Sequence, residues 1–372
     1  MKIRSLHGEI IFSAQTFKNK TLNEYKNYFD FTNQFQDDYI SERLKEYSLW
    51  LSLDNSYEKI AEVLFRNTGE HILSDQKISQ LVISKAKEIS ISEEKKNERP
   101  EIEKVAFKVN RKIDLYDKDS KEILLLEDGI LVRGQKEHRK KEEEKTVNLK
   151  AKKIWRETDA CMLECADGHF RYIIGGMEFQ KDKQSLPNTV KRTIYEEYGE
   201  TFEELNIVSI TDGATTIRRD LLIVFGVVII IILDWYHLTK KMKELMSMIA
   251  KNKEEKQLHL NYIRKHCWEG EVDKAIIYLK TTVIAKNELK LKELIGYLEK
   301  HKDEIINYKK RKLIGKCIGS GRMECGVNQI VGRRQKNKGM SWSEKGNKAL
   351  AILQVQKLNN TWDEMWEFNK VA

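Results

Sequence analysis

The chain is nearly without proline: its 372 residues include two, Pro100 and Pro187, which excludes long proline-rich linkers. It also lacks a long apolar run. The most hydrophobic stretch, 221–233, is interrupted only by Gly226 and falls well short of the ~20 residues needed to span a bilayer. Its β-branched content predicts a buried strand in a parallel sheet covered on both faces. Met1-Lys2-Ile3-Arg4 leads into no apolar segment, so no secretory signal and no membrane partner is expected. Cysteine is sparse. The five residues Cys161, Cys165, Cys267, Cys317 and Cys325 are odd in number and scattered, which predicts reduced thiols in a cytoplasmic protein. Cys161 and Cys165 have C-x3-C spacing, but no second pair lies nearby. They read as buried small hydrophobes rather than a zinc site.

Charge, by contrast, is abundant. Asp, Glu, Lys and Arg make up 34% of the chain, and 67 Lys+Arg against 58 Asp+Glu leave a net charge of +9. That balance favours a polyanionic partner such as nucleic acid. A hydrophobic fraction of 40% is enough to fold, and the length predicts about two or three domains.

In chain order, 1–50 forms an N-terminal segment in which Gly8-Glu9-Ile10-Ile11-Phe12 reads as a short strand and 38–51 as a helix. Residues 51–100 carry two helix signals. Ser56 caps a helix with Ile60, Ala61 and Leu64 on one face, Asn67-Thr68-Gly69 stops it, and Ser74 caps a second helix with Ile78, Leu81 and Val82 inward. This pattern fits a helix-turn-helix or an ordinary helical hairpin. In the former, Gln76, Lys77, Gln80 and Lys85 would face a major groove. Residues 90–104 look like a solvated linker.

From 101 to 240 the pattern becomes α/β. An apolar strand over 123–132 contains Asp128, with a charged loop over 136–145 after it. Further strands are expected over 147–155 and 169–174, a helix over 189–198, and strands over 207–210 and 227–233. An aspartate inside so apolar a run demands a partner, because an unpaired buried carboxylate is costly. Asp212 follows the strand 207–210 directly, and Asp167-Gly168 is a weaker rival for the first acid. Asp-Gly alone is also a common turn dipeptide. Three strands, a helix, a strand, a helix and a strand is the order of a ribonuclease H-like sheet, in which the first and fourth strands are parallel neighbours. Residues 241–312 read as an all-helical insertion, with Leu245, Met248 and Ile249, then Leu291, Leu294, Ile295 and Leu298, at helical spacing. Residues 313–372 complete the core. There Gly319-Ser320-Gly321-Arg322-Met323-Glu324 makes a small-residue turn that launches a helix with one carboxylate in its first turns.

Three blocks carry a family resemblance: Thr211-Asp212-Gly213-Ala214; Leu233-Asp234-Trp235-Tyr236-His237-Leu238; and the Glu324 turn with Arg333-Arg334-Gln335-Lys336-Asn337-Lys338-Gly339-Met340-Ser341-Trp342-Ser343 and Trp362-Asp363-Glu364-Met365-Trp366. In these the chain resembles bacterial insertion-sequence transposases of the DDE class, in the branch related to Mutator-like elements. The likeness covers about 50–370 and is strongest after Asp212.

The resemblance implies an α/β ribonuclease H-like catalytic core with an all-α insertion and a mainly helical N-terminal DNA-binding region. It also implies that Asp128, Asp212 and Glu324 are the catalytic and metal-binding acids. Asp234 and His237 match the D-x-x-H signature that accompanies such a triad in support, with a capping or core histidine as the alternative for His237. Two Mg2+ ions, or Mn2+ as substitute, would be the cofactors, because phosphodiester cleavage needs an activated oxygen nucleophile and charge relief on the leaving oxygen. The freed 3′-hydroxyl could then attack target DNA. Arg322, Arg333, Arg334, Lys336 and Lys338 would hold phosphates. Trp342 would stack on a base or sit in the core.

The implied partners are double-stranded DNA, as terminal inverted repeats and target, and a second copy of the chain in a homodimer on DNA. The implied location is the cytoplasm, at the nucleoid. The chain also departs from the pattern: residues 1–50 hold no cysteine, Thr215-Thr216 stands where relatives tend to have a tryptophan, and 221–233 contains no proline. A catalytically decayed remnant that only binds DNA, and a structure-selective nuclease of the same fold, are the competing classes.

Overall fold

The computed structural model describes residues 2–13, 15–21, 23–27, 40–135, 154–177, 185–199, 204–337 and 339–366. The elements run β1 (Lys2–Ser5), β2 (Gly8–Ile11), β3 (Thr16–Asn19), β4 (Glu24–Asn27), α1 (Glu42–Ser52), α2 (Tyr57–Thr68), α3 (Asp75–Asn97) and α4 (Pro100–Lys104). Then follow β5 (Ile123–Arg133), β6 (Trp155–Glu164), β7 (Phe170–Ile174), α5 (Ser185–Tyr198), β8 (Ile207–Thr211), α6 (Thr215–Phe225) and β9 (Ile230–Leu233). A helical series comes next: α7 (Trp235–Ile249), α8 (Lys253–Trp268), α9 (Val272–Thr281), α10 (Glu288–Lys300) and α11 (Tyr308–Leu313). The chain ends with α12 (Gly321–Val327), α13 (Arg333–Gln335) and α14 (Glu344–Leu358). No helix among the described residues is long and apolar enough to cross a membrane.

Two compact units divide the chain: 1–92, 131–158 and 329–372 form one, and 93–130 with 159–328 the other. In the first, Ile40, Leu44, Ile60, Leu64, Ile72, Leu73 and Ile78 pack into one cluster contributed by α1, α2, α3, the residue before α1 and the α2–α3 connection. The capping signals decide the helix ends. The Ser56 hydroxyl accepts from the Lys59 amide at 3.2 Å, Gly69 ends α2 at φ +75°, and the Ser74 hydroxyl accepts from the Lys77 amide at 3.2 Å.

The second unit is built on a mixed five-stranded sheet of order β7-β6-β5-β8-β9. β6 and β7 pair antiparallel, whereas β5–β8 and β8–β9 are parallel. Alternation along the strands assigns the faces. Ile123, Leu125, Cys161, Leu163, Ile173 and Ile207 belong to one apolar cluster with Val190 and Ile194 of α5 and Ile217, Leu221, Val224 and Phe225 of α6. Leu124, Leu126, Met162, Val208 and Ile210 are buried on the opposite face.

Three expectations change. The apolar run 221–233 is not one strand: its first half closes α6, Gly226 caps that helix at φ +65°, and only Ile230–Leu233 is extended. Residues 90–97 and 100–104 are helical rather than a linker. Their charges hide a buried network in which Asn97 donates to Thr189 at 3.1 Å and accepts from Arg192 at 2.8 Å, while Arg192 also pairs with Glu93. Within the all-helical stretch Leu245, Ile249, Leu291, Leu294 and Leu298 are buried as their spacing requires, but Met248 is exposed. The loop 136–145 and most of the strand placed over 147–155 lie outside the described residues.

Candidate active site

Parallel pairing sets the first two acids. Leu124 lies opposite Val208 and Leu126 opposite Ile210; continuing that register two residues further brings Asp128 abreast of Asp212. Both share the parity of Leu124, Leu126, Val208 and Ile210, so they belong to the sheet face away from α5 and α6. The Asp212 carboxylate accepts from the Ala214 amide at 2.8 Å, and Gly213 between them has φ +90°. A Cβ on Gly213 would come within 2.7 Å of the His301 ring, so both conformation and space demand glycine there.

Glu324 lies on α12, close enough for its charge to raise the Asp128 carboxyl. Its amide bonds to the Ser320 carbonyl at 3.0 Å, and Met323 beside it is buried. The backbone at Gly326 lies against β6 and β7, where a Cβ would touch Met162 at 3.4 Å and Tyr172 at 3.5 Å.

What fixes α12 is Asp234. It is buried, caps α7 by accepting the His237 amide at 2.9 Å, and accepts the Ser320 amide with its other oxygen. Burial alone would raise this carboxyl, but the bonds from His237 and Ser320 outweigh it and hold Asp234 well below the usual carboxylate range. Two more bonds close the junction: Tyr308 donates to the Leu233 carbonyl at 2.7 Å, and the Trp235 amide to the Ile318 carbonyl at 3.2 Å. With both oxygens engaged by amides, Asp234 is a positioning residue.

The three acids share one electrostatic environment. Burial raises the Asp128 carboxyl; the Gly129 amide, 2.8 Å from Oδ1, and the charge of His237 lower it, and the charges of Asp212 and Glu324 raise it again. His237 is raised by Asp234, opposed by burial, and raised further by Asp212 and Asp128. Its Nδ1 stands 3.7 Å from Asp234, an ion-pair distance beyond hydrogen-bond reach. Three carboxylates, two of whose charges act on the Asp128 carboxyl, form a hard, oxygen-rich donor set suited to a divalent cation. They are not the most tightly gathered donors. Among the described residues, the trio whose ligand atoms all lie within 4.8 Å of one another is Cys165, His169 and Glu197.

Sequence reasoning passed over Glu127. As the neighbour of Asp128 it takes the other sheet face, where burial, then Asp220 and Asp159, push it up to about 7 despite a hydrogen bond with Cys161. Its signal was available, since it sits in the same apolar run.

The basic residues separate. Gln76, Gln80, Arg333 and Lys336 are exposed and Lys77 is half-buried. Lys85 bonds to the Met365 carbonyl at 3.2 Å and lies 4.5 Å over the Trp366 ring. Arg322 is engaged by Glu164. Arg334 and Trp342 are corrections. Arg334 is 6% exposed, donates to the Ser52 carbonyl at 3.0 Å and stacks 4.9 Å over Trp342, whose own indole donates to the Gln335 carbonyl at 3.0 Å. Both belong to the interior of their unit, where no phosphate or base reaches them. Lys338 lies outside the described residues.

A five-stranded mixed sheet with many helices defines the general class as α/β. The chain belongs to the uncharacterised protein family UPF0236, whose model matches residues 1–370. No curated protein matches it. Among solved structures it is similar to a chain of the Drosophila P element transposase strand transfer complex, with 10% identity over 88% of this chain and 82% of that one. The TM-score is 0.26, a likeness on which nothing further rests.

Proposed function

We propose that the chain is a DNA transposase of an insertion sequence with a ribonuclease H-like core, in which Asp128, Asp212 and Glu324 are the catalytic acids. The observation that carries this reading is the placement of Asp128 abreast of Asp212 on parallel neighbours, with Glu324 acting on the same Asp128 carboxyl. The motif resemblance around Asp212, Asp234 and Glu324 supports it independently.

Asp128, Asp212 and Glu324 would hold divalent ions, Mg2+ or Mn2+, which when bound supply a nucleophilic oxygen at neutral pH and stabilise the leaving 3′ oxygen. The residues' own part is to be ionised and fixed. Asp128 must lose its proton in a partly buried place, so ligand strength there grows with pH. Asp234 holds the turn that starts α12, and Gly213 lets the chain bend directly after Asp212. DNA would be held by the exposed Gln76, Gln80, Arg333 and Lys336, with Lys77 beside them, and its affinity would fall steeply with salt.

The test is metal-dependent cleavage of DNA carrying the element's own ends, comparing the unmodified chain with Glu324→Gln. Cleavage and joining that need Mg2+ or Mn2+ and disappear in the variant support a transposase. Salt-sensitive binding without cleavage by either protein overturns catalysis by this chain, and cleavage without joining points to a nuclease.

A further inference from the structure

The Cys165, His169 and Glu197 trio lies at the β6–β7 turn and the end of α5, and the proposed chemistry of the acids makes no use of it. The turn is tightly built: the Cys165 amide donates to the His169 carbonyl at 2.8 Å, and the Gly168 amide to the Cys165 carbonyl at 2.8 Å. Cys165 is 4% exposed, and the Tyr198 hydroxyl accepts the Ala166 amide at 3.2 Å, which ties the turn to α5.

Each donor is also oriented. Asp167 Oδ1 lies 2.5 Å from His169 Nδ1; in the neutral tautomer that donates to Asp167, Nε2 presents its lone pair toward Glu197. This carboxylate–histidine relay is the usual outer partner of a metal-binding imidazole. Arg171 engages Glu197 Oε1, leaving Oε2 for the cluster, 3.2 Å from His169 Nε2. A lone pair and a carboxylate oxygen at that separation repel unless a cation or a proton lies between them. The spacing also equals the edge, about 3.3 Å, of a tetrahedron with ~2.0 Å bonds from zinc to nitrogen and oxygen. The thiol Sγ falls within 4.8 Å of both other donors, where the corresponding sulfur–nitrogen edge would be about 3.5 Å.

We infer that Cys165, His169 and Glu197 form a site for a thiophilic divalent cation such as zinc, with Asp167 orienting the imidazole and a fourth ligand from solvent. The soft sulfur donor separates it from the all-oxygen acid cluster, which suits Mg2+. The imidazolium form of His169, bridging Asp167 and Glu197 as a plain ion pair, is the competing account.

The full-length chain would be titrated with Zn2+ by calorimetry and with Co2+ by absorption. One sulfur-ligated metal per chain is expected, seen as a tetrahedral Co2+ spectrum whose near-ultraviolet thiolate band saturates at one equivalent. Cys165→Ser should abolish that band, and Asp167→Asn, at an exposed position, should weaken Zn2+ binding about 10- to 100-fold without touching a ligand. Glu324→Gln should leave the thiolate band unchanged, which keeps this site distinct from the acids. Absence of binding at micromolar Zn2+, or a thiolate band that survives in a folded Cys165→Ser, overturns the inference. So does Zn2+ affinity unaltered in Asp167→Asn.

Discussion

Asp234 and Ser320 are joined through a buried carboxylate and a backbone amide, and the bond links the end of β9 to the start of α12 across 86 residues. The same carboxylate caps α7. One side chain therefore fixes both where the helical stretch leaves the sheet and where the Glu324 helix begins.

Replacing it should show both roles. Asp234→Ala removes a cap and a second amide acceptor, with an expected loss of about 2–3 kcal/mol and faster amide exchange at Ser320 and Gly321. Asp234→Asn keeps an oxygen for one amide only, so its thermal midpoint should fall between wild type and alanine. A midpoint equal to wild type for alanine would remove the pinning role.

Glu127 predicts a pH dependence of stability. Its folded pKa stands at about 7 against an ordinary 4.5. The folded chain therefore keeps a proton that the unfolded chain releases, and the associated stability is complete below 4.5 and lost as pH rises through 7. The full effect is about 3 kcal/mol at most. Glu127→Gln should flatten the fall in urea midpoint between about pH 5 and about pH 8. An unchanged slope would place the titration elsewhere.

Arg311 tests the helical stretch. Fully buried, it pairs with Glu122 at 2.6 Å and donates to the Cys317 carbonyl at 2.7 Å; Lys316 also reaches Glu122, at 2.6 Å. Arg311→Met strands part of that buried charge and should cost about 3–5 kcal/mol in denaturant unfolding. Adding Glu122→Gln should recover some of the loss, and a double variant worse than the single would refute the coupling.

Local signals were the legible ones. Ser56, Gly69 and Ser74 mark helix ends because caps act within a few residues, and the apolar run around Asp128 marked its strand. The run 221–233 misled because α6 and β9 are both apolar and only Gly226 separates them. Residues 90–97 misled for the opposite reason: their polar composition hides a network with Arg192 that only the fold creates. Arg334 reads as a phosphate-binding group and Trp342 as a base-stacking or core residue until each is seen to cover the other. Cys165 was weighed against Cys161, four residues earlier, although its donors are His169 and Glu197, one across a turn and one on another helix.

The bonds from Tyr308 to Leu233 and from Trp235 to Ile318 give the helical stretch between Asp212 and Glu324 a shared doorway. The chain leaves through it and comes back through it, like the two ends of a handle fixed to one plate. Helices inside the handle can lengthen, shorten or be exchanged while Ser320 still returns to Asp234. The number of residues separating the second acid from the third is therefore no ruler of the distance between them.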